Sequence, residues 1–413
     1  MMTENDEKLV KILKYVSEHN EFYKNRIKKF SIKNPLDITQ WPILTRDELQ
    51  ANRYNMFSDG YRDKYFNQQL HRQFSSGSSG MPVNVYWDKN DWCKSNLYLW
   101  RKRFDSHSIR SSDKYVVFTL NAFDIQYKKN TPLFINQSPN VIIINFSLVH
   151  NIEDEINIVK IINEFNPTWL YIQPSLLDKL IFIYKTQNIK KPSNLRYIEF
   201  VGEILTNDVR RRAQDFFGIE ISNLYGSEEF NGIAYESKEN NFEILKDNVY
   251  VEVLKKNNIY DTGVGEAIIT SLTNYAMPLI RYNLQDIISL QEITNGEQQY
   301  KYINSIAGRK SKIIEIDDIQ INTFMLAEII SEVNNELYDP IKKFKYVYSN
   351  NNHQLDCFVQ IFEYFDKWDD VIISYIINKF DSKINSNNLI KFNVKIVAVL
   401  PNDYGKQSIL EIK

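Results

Sequence analysis

The sequence has few cysteines and no long apolar run, and each absence excludes a class of protein. Its two cysteines, Cys93 and Cys357, lie far apart and belong to no CxxC or Cys/His pattern, so neither a disulfide framework nor a structural zinc site is expected. No apolar run approaches the roughly 18 residues that a membrane span needs. The first residues are acidic, whereas a secretion signal begins with basic ones. We therefore expect a cytoplasmic protein without a membrane span.

Excess charge of one sign is also absent. The chain has 50 Lys and Arg against 52 Asp and Glu, which gives a formal net charge of -2. No basic stripe recurs along it, as contacts with a phosphate backbone would require, so nucleic acid is not an expected partner. Hydrophobic residues at 43% and charged residues at 25% are near the averages of globular proteins. With 413 residues, the chain predicts two or three packed domains.

The apolar pattern predicts a large, mainly parallel α/β domain that reaches about residue 305. An amphipathic helix over residues 9–16 opens the chain. Short apolar runs then alternate with helical stretches, which is typical of strands joined by parallel crossovers. These runs lie at 114–120, 141–148, 168–173 and 196–202. The helix at 206–217 is expected to be capped by Thr206 and ended by Gly218.

About one hundred C-terminal residues follow a different order, which predicts a smaller α+β domain. Helices are expected near 324–337 and 368–380, and strands near 342–349, 354–361 and 391–399. The predicted junction runs from Gly308 to Lys312. The expected division is therefore an N-terminal domain at 1–307, a hinge at 308–312 and a mobile C-terminal domain at 313–413.

A loop of serines and glycines precedes the predicted parallel strands. It consists of Ser75, Ser76, Gly77, Ser78, Ser79 and Gly80. Glycine lets a backbone approach phosphate oxygens and serine supplies donors, so this loop can cradle a polyphosphate. It lacks the Gly-Lys-Ser/Thr ending of a Walker A loop. Taken alone, its composition is more often that of a flexible connector.

Three later stretches carry polar groups suited to a nucleotide. Tyr225 can stack on an adenine face, and Glu229, after the glycine turn at Gly226, can hold Mg²⁺. Asp286 can accept hydrogen bonds from ribose hydroxyls, and Arg309 can reach a phosphate or ribose. Each also has an ordinary interpretation as a solvated turn residue or a surface ion pair.

A lysine in a glycine turn lies near the chain end, in Pro401-Asn402-Asp403-Tyr404-Gly405-Lys406. The ammonium group of Lys406 can neutralise charge on a phosphate that is being attacked. A lone lysine near a chain end is otherwise usually solvated.

Taken in order, these motifs resemble those of the adenylate-forming (acyl-activating) ligases. The matching stretches are Ser75-Ser76-Gly77-Ser78-Ser79-Gly80-x-Pro82, Val201-Gly202-Glu203, Tyr225-Gly226-x-x-Glu229, Arg281-Tyr282-x-x-x-Asp286, Gly308-Arg309 and Pro401-x-x-x-Gly405-Lys406. The chain is most similar to the phenylacetate-CoA ligase branch and its CapK-like relatives, from about residue 40 to the end.

The resemblance implies an ATP- and Mg²⁺-dependent, AMP-forming activation of a carboxylic acid, followed by acyl transfer to a thiol of CoA or a carrier protein. It places residues 75–80 on the β- and γ-phosphates. The other roles that it implies are Gly202, Glu203, Tyr225 and Gly226 at the adenine, Glu229 on Mg²⁺, Asp286 on the ribose hydroxyls, Arg309 at a phosphate or the ribose, and Lys406 on the α-phosphate and substrate carboxylate. The small domain would turn about residues 308–312 between the two half-reactions.

The chain departs from the family pattern at Glu228, where Ser or Thr is usual, and at the acidic hinge position, which is Ser311. Two alternatives stay open. One is an amide-forming ligase that transfers the acyl group to an amine of an amino sugar or amino acid, and the other is a non-catalytic nucleotide-binding homologue. The 26 Tyr and 24 Phe slightly favour an aryl acid over other small acids. A second copy of the chain, forming a homodimer, is a further candidate partner.

Overall fold

The structure is a computed structural model. It describes residues 4–74, 83–119, 132–149, 151–237, 241–295, 298–309, 313–316, 319–337, 340–361, 363–385, 387, 389–398, 400 and 409–413. The loop at 75–80, most of the predicted hinge (310–312) and Lys406 lie outside these residues.

Helices and strands occupy most of the described chain. The helices are α1 (Glu4–His19), α2 (Glu21–Lys29), α3 (Arg46–Asn52), α4 (Tyr61–Phe66), α5 (Lys89–His107), α6 (Ile152–Phe165), α7 (Pro174–Thr186), α8 (Asn207–Phe217), α9 (Thr323–Glu336) and α10 (Asp369–Lys383). The strands up to residue 244 are β1 (His71–Phe74), β2 (Asn84–Trp87), β3 (Tyr115–Thr119), β4 (Phe134–Ser138), β5 (Val141–Asn145), β6 (Trp169–Ile172), β7 (Tyr197–Val201), β8 (Glu220–Ser227), β9 (Asn231–Glu236) and β10 (Phe242–Ile244). Those that follow are β11 (Val249–Lys255), β12 (Asn258–Tyr260), β13 (Gly263–Ser271), β14 (Tyr282–Asn295), β15 (Gln298–Arg309), β16 (Ile314–Ile316), β17 (Ile319–Ile321), β18 (Ile341–Ser349), β19 (Gln354–Ile361), β20 (Lys391–Ile396) and β21 (Leu410–Ile412). Within the described ranges, no helix is both long and apolar enough to cross a membrane.

The chain forms two compact units, each made of two segments. The first unit consists of Met1–Ser112 with Ser222–Ile306, and the second of Asp113–Ile221 with Ala307–Lys413. The α/β class predicted from the sequence is confirmed. The strands of residues 222–306, however, pair antiparallel, whereas a mainly parallel domain was expected to about residue 305. The expected division at residues 308–312 stays a prediction.

The first unit contains antiparallel strands in the order β12-β11-β13-β14-β15-β10-β9-β8. The N-terminal helices pack on the turn that joins β13 to β14. Tyr23 of α2 is fully buried there, and its hydroxyl donates to the carbonyl of Pro278 at 2.9 Å and accepts from the N–H of Ile280 at 3.0 Å. A tyrosine is suited to this place because its ring fills the core while its hydroxyl satisfies two buried backbone groups.

The second unit contains the parallel strands that the sequence predicts. Their order is β7-β6-β3-β5-β4, with β3, β5, β6 and β7 parallel and β4 antiparallel at the edge. The helices α6, α7 and α8 connect or follow these strands, as crossovers between parallel strands require. The C-terminal part of the same unit is a sheet in the order β20-β19-β18-β21 with α9 and α10. The predicted α+β order of this part is thereby confirmed.

The start of α8 differs from the expected cap. Thr206 precedes the helix, but its hydroxyl donates to Asp208 Oδ1 and accepts no hydrogen bond from the first turn. The N–H of Asp208, which a capping hydroxyl could accept, donates to Ser331 Oγ instead. The expected end is confirmed, because Gly218 adopts φ of 67° and its N–H donates to the carbonyl of Gln214.

Asp208 lies at the contact between α8 and α9 within the second unit. It is 4% exposed, and its backbone N–H donates to Ser331 Oγ at 3.0 Å. Arg212 Nη1 donates to Asp208 Oδ2 at 2.6 Å, and Asn334 Nδ2 donates to the same oxygen at 3.3 Å. Burial raises the pKa of Asp208, but Arg212 and the hydrogen bonds outweigh burial and hold that pKa below its ordinary value.

We expect Asp208→Asn to lower the thermal midpoint of the second unit. Loss of the charge-assisted bonds costs about 1–3 kcal/mol, and each kcal/mol shifts the midpoint by about 2–4 °C in a unit of this size. A lowered folded-state pKa stabilises above the ordinary Asp pKa of about 3.9, and this contribution is lost as pH falls through the lowered value. The deficit of the variant should therefore be full at pH 7 and shrink below about pH 4.

Scanning calorimetry at pH 7 and below about pH 4 measures this difference in thermal midpoint. Asp215→Asn is the matched control, because Asp215 lies on the same helix with a side chain that is 69% exposed. Equal deficits in the two variants, or a deficit of Asp208→Asn that does not change with pH, would contradict the role given to the buried carboxylate.

Candidate active site

A hydrogen bond between β8 and β14 joins two of the residues predicted to bind the nucleotide. Tyr225 is 8% exposed, and its hydroxyl donates to Asp286 Oδ2 on β14 at 2.8 Å. The neighbouring Gly226 lies at a register shift between β8 and β9. A Cβ added at Gly226 would lie 2.3 Å from the carbonyl oxygen of Asn231, so only glycine fits there. The local backbone thus fixes the position of Tyr225, and Tyr225 in turn orients the carboxylate of Asp286.

Two adjacent acids follow this turn and differ in exposure. Glu229 is 3% exposed, whereas Glu228 is exposed. Tyr282 of β14 donates its hydroxyl to Glu229 Oε1 at 3.3 Å. Ser227 Oγ is buried nearby in sequence and has no hydrogen-bond partner among the described residues. This stretch therefore contains a buried carboxylate and, two residues before it, a buried hydroxyl that a ligand can hydrogen-bond.

The oxygen atoms of these side chains are suitable ligands for magnesium. Mg²⁺ takes oxygen ligands and is usually held by one or two carboxylates, with waters and substrate phosphates filling the remaining positions. In the part of the chain that the structure describes, no cluster of three or more His, Cys, Asp or Glu side chains could hold a metal unaided. A single buried carboxylate at Glu229 fits a metal ion that arrives with a nucleotide better than a metal ion held by the protein alone.

The second unit contains the other predicted nucleotide residues. Gly202 follows β7 in an exposed turn with φ of 77°, which favours glycine. The carboxylate of the next residue, Glu203, accepts the backbone N–H of Ser175 at 3.1 Å, at the start of α7. Arg309 ends β15 and is half-buried.

The position of Gly308 explains why a glycine precedes Arg309. It adopts φ of 94°, and an added Cβ would lie 2.2 Å from Thr323 Oγ1 and 3.8 Å from Ile204 Cδ1. Thr323 Oγ1 also donates to the carbonyl of Ala307 at 3.3 Å. Gly308, at the end of β15, therefore lies close to Thr323 and to Ile204, the residue after Glu203.

Of the predicted site residues, Tyr225, Gly226, Glu229 and Asp286 belong to the first unit, where Tyr225 contacts Asp286, and Gly202, Glu203 and Arg309 belong to the second. The loop from Ser75 to Gly80 and Lys406 lie outside the described residues.

The motif residue Arg281 has a structural role. Its guanidinium and the carboxylate of Glu252 form a bidentate pair, with Nε to Oε2 at 2.9 Å, and both side chains are 5% exposed. Nη1 donates to the carbonyls of Thr39 and Trp41 at 3.1 and 3.0 Å. Burial raises the pKa of Glu252, and Arg281 opposes this rise without cancelling it. The sequence alone could not reveal this pair, because Glu252 lies 29 residues before Arg281 and belongs to no motif. The available signal was a glutamate within an apolar strand.

Comparison with known proteins finds relatives in sequence and in fold. Residues 67–257 match the model of the family described as "AMP-binding enzyme". Protein CapK of Staphylococcus aureus is 24% identical over 309 residues, which cover 73% of this chain and 66% of CapK. Phenylacetate-coenzyme A ligase of Pseudomonas putida is 26% identical over 191 residues, which cover 44% of this chain and 43% of that ligase. The match thus spans less than two thirds of each of these relatives.

Solved structures share the fold. 2-Hydroxyisobutyryl-CoA ligase in the postadenylation state aligns over 99% of this chain and 89% of its own, with a TM-score of 0.79 and 13% identity. At this identity, the likeness shows the fold alone. The chain is thus similar to the AMP-binding enzymes over residues 67–257 and to CapK and phenylacetate-coenzyme A ligase, and it shares the fold of a CoA ligase that forms an acyl-adenylate.

Proposed function

We propose that the protein uses ATP to convert a carboxylic acid into an acyl-adenylate and then transfers the acyl group to the thiol of CoA or a carrier protein. The observation that carries this proposal is the hydrogen bond from Tyr225 to Asp286, next to the Gly226 turn and the buried Glu229. This arrangement combines an aromatic face, an acceptor for ribose hydroxyls and a metal-binding carboxylate within one unit. Phenylacetate-coenzyme A ligases among the relatives support the choice of reaction.

Adenylation solves a chemical difficulty of the substrate. A carboxylate is a poor electrophile, because its charge repels nucleophiles and an oxide ion is a poor leaving group. Attack of its oxygen on the α-phosphorus of ATP expels pyrophosphate and gives a mixed anhydride with a good leaving group. A thiolate can then attack the acyl carbon and release AMP. The protein has to bind both reactants in line and to stabilise the charge that develops on the phosphates.

The residues of the first unit would bind the nucleotide in this reaction. Tyr225 offers a ring face to the adenine, while Asp286, oriented by the Tyr225 hydroxyl, accepts from the ribose hydroxyls. Glu229 would hold Mg²⁺, which when bound supplies positive charge to the phosphates. Burial of the Glu229 carboxylate excludes competing water from it.

The remaining assignments rest on the resemblance of the motifs. Gly202 and Glu203 would act at the adenine, Arg309 at the ribose or phosphates, and residues 75–80 on the β- and γ-phosphates. Lys406 would neutralise the α-phosphate during adenylation. Turning of residues 313–413 about 308–312 would then allow thiol attack, and it would break the contact between Asp208 and Asn334.

The acceptor distinguishes the proposal from its second candidate, an amide-forming ligase. Proteins named as amide-forming share the fold: a GH3.15 acyl acid amido synthetase covers 95% of this chain with a TM-score of 0.60 and 12% identity. The chemistry of adenylation is the same for a thiol and for an amine, because either nucleophile attacks the same acyl carbon. Only the second half-reaction separates the two candidates.

We expect acid-dependent release of pyrophosphate in a screen of aryl, fatty and amino acids with ATP and Mg²⁺. Hydroxylamine should trap the anhydride, and turnover with CoA, a carrier protein and free amines identifies the acceptor. Glu229→Gln should raise the Mg²⁺ concentration needed for half-maximal rate, because the neutral amide is a weaker ligand for a hard cation. Glu228→Gln, at the exposed neighbour, is the matched control.

The results separate the candidates as follows. Turnover with amines and none with thiols would favour the amide-forming ligase. Tight binding of ATP without pyrophosphate release from any acid would favour a non-catalytic homologue. An equal Mg²⁺ requirement in Glu229→Gln and Glu228→Gln would remove Glu229 from the metal site.

A further inference from the structure

The carboxyl ends of four parallel strands meet at one edge of the second unit's sheet. The register pairs Thr119 of β3 with Asn145 of β5, and Ile172 of β6 with Phe200 of β7, so these ends are aligned. Ligands of open α/β sheets bind outside this edge. Polar side chains at these strand ends are therefore candidates for contact with a substrate.

Gln173 lies at this edge, directly after β6 and before α7. Its backbone carbonyl accepts from the N–H groups of Leu176 and Leu177 at 3.1 and 3.2 Å, but its side chain makes no capping bond to the helix. Instead, Nε2 donates to the carbonyl of Phe118 on β3 at 3.5 Å. Oε1 is buried, and no hydrogen-bond partner for it exists among the described residues.

A buried acceptor without a partner is costly, and the large majority of such atoms in native proteins are paired. Exceptions are expected at functional sites, where a ligand can supply the missing partner. Rotating the amide would not remove the problem, because it would place Oε1 against the carbonyl oxygen of Phe118. Within the described part of the chain, the geometry therefore leaves Oε1 free to accept a hydrogen bond from a ligand.

We propose that Gln173 Oε1 accepts a hydrogen bond from an O–H or N–H group on the acyl part of the substrate, which makes the substrate class a hydroxy- or amino-substituted carboxylic acid. This inference rests on the proposed function and specifies its acid. The adenine amino group is the other donor in the reaction. It is disfavoured because the amide of Gln173 is held toward β3, whereas Gly202 and Glu203, proposed for the adenine, follow β7 on the other side of β6.

The test compares acids that differ by one donor, using Gln173→Met, which keeps the size of the side chain and removes the acceptor. The pairs are 4-hydroxyphenylacetate with phenylacetate, 4-aminobenzoate with benzoate and 3-hydroxybutyrate with butyrate. We expect the unsubstituted protein to prefer the donor-bearing member of at least one pair by about 10- to 100-fold in kcat/KM for pyrophosphate release. Gln173→Met should bring that ratio close to one.

Gln187→Met is the matched control, because Gln187 is exposed at the opposite end of α7. It should keep the preference. Without any ligand, Gln173→Met should raise the thermal midpoint by about 2–4 °C, since it removes an unpaired buried acceptor. Gln187→Met should leave the midpoint unchanged.

Three results would overturn the inference: no preference within any pair, a preference that survives Gln173→Met, or a lower midpoint of that variant. Inosine triphosphate lacks the adenine amino group. If the unsubstituted protein is less active with inosine triphosphate than with ATP, and Gln173→Met removes this difference, the bond belongs to the adenine amino group and the inference is wrong. If no acid releases pyrophosphate, the proposed function fails separately. The role of Gln173 is then still decided by two thermal measurements. One is the midpoint of Gln173→Met without ligand, and the other is the shift in midpoint that each acid of a pair causes on binding.

Discussion

Lys406→Ala is expected to lower acid-dependent pyrophosphate release about 10²- to 10³-fold, while ATP binding largely persists. In the proposed reaction, negative charge builds up around the α-phosphorus as the carboxylate oxygen attacks. An ammonium group placed there stabilises the transition state more than the ground state, so its loss affects the rate of adenylation more than nucleotide affinity. Single-turnover pyrophosphate release and equilibrium ATP binding measure the two quantities separately.

The control for this variant is Lys391→Ala, which removes one positive charge from an exposed strand position of the C-terminal part. It should leave the rate unchanged, because an exposed charge contributes little at a distance in salt. Unchanged pyrophosphate release in Lys406→Ala would exclude Lys406 from the mechanism. A parallel loss of ATP binding and rate would instead give Lys406 a role in uniform substrate binding.

The parallel strands of the second unit could be predicted because each is a short apolar run that ends at a turn. The expected runs at 141–148 and 196–202 contain β5 at Val141–Asn145 and β7 at Tyr197–Val201. Helices between them carry an apolar face with a period near 3.6, so the alternation is visible in a single sequence. The same reasoning identified α9 and β18 in the C-terminal part.

The antiparallel strands of residues 222–306 could not be predicted in the same way. In β13, all residues from Gly265 to Ser271 are buried, so the polar-to-apolar alternation of a half-exposed strand is absent. The register between β13 and β14 also shifts near Glu266 and Ile268. Local sequence does not specify such irregularities, because they depend on partners far along the chain.

The site shows the same division. Residue types and motif order identified Tyr225 and Asp286 as nucleotide residues, but the hydrogen bond between them joins positions 61 residues apart and required the fold. Gln173 was passed over because glutamine has no characteristic motif. Its position at the end of the predicted strand 168–173 was the available signal.

Arg281→Met is expected to destabilise the first unit by about 3–5 kcal/mol, because it breaks a buried ion pair and leaves one charge uncompensated. The variant loses both bonds to Glu252 and the donors to the carbonyls of Thr39 and Trp41. Lys102→Met is the control. Lys102 pairs with Glu243, whose side chain is 51% exposed, so its loss should cost less than about 1 kcal/mol.

The deficit of Arg281→Met should grow with pH. Burial already raises the pKa of Glu252 despite Arg281, and removal of the guanidinium raises it further. A carboxyl whose folded-state pKa is raised costs nothing below its unfolded pKa, and the cost develops as pH rises above that value. Thermal midpoints at pH 5 and pH 8 should therefore differ more in the variant than in Lys102→Met.

The double variant Arg281→Met/Glu252→Leu should regain much of the lost stability and should lose the added pH dependence, since no buried charge remains in the pair. A double variant as unstable as the single one, at both pH values, would show that the carbonyls of Thr39 and Trp41, rather than the carboxylate, account for the stability that Arg281 provides.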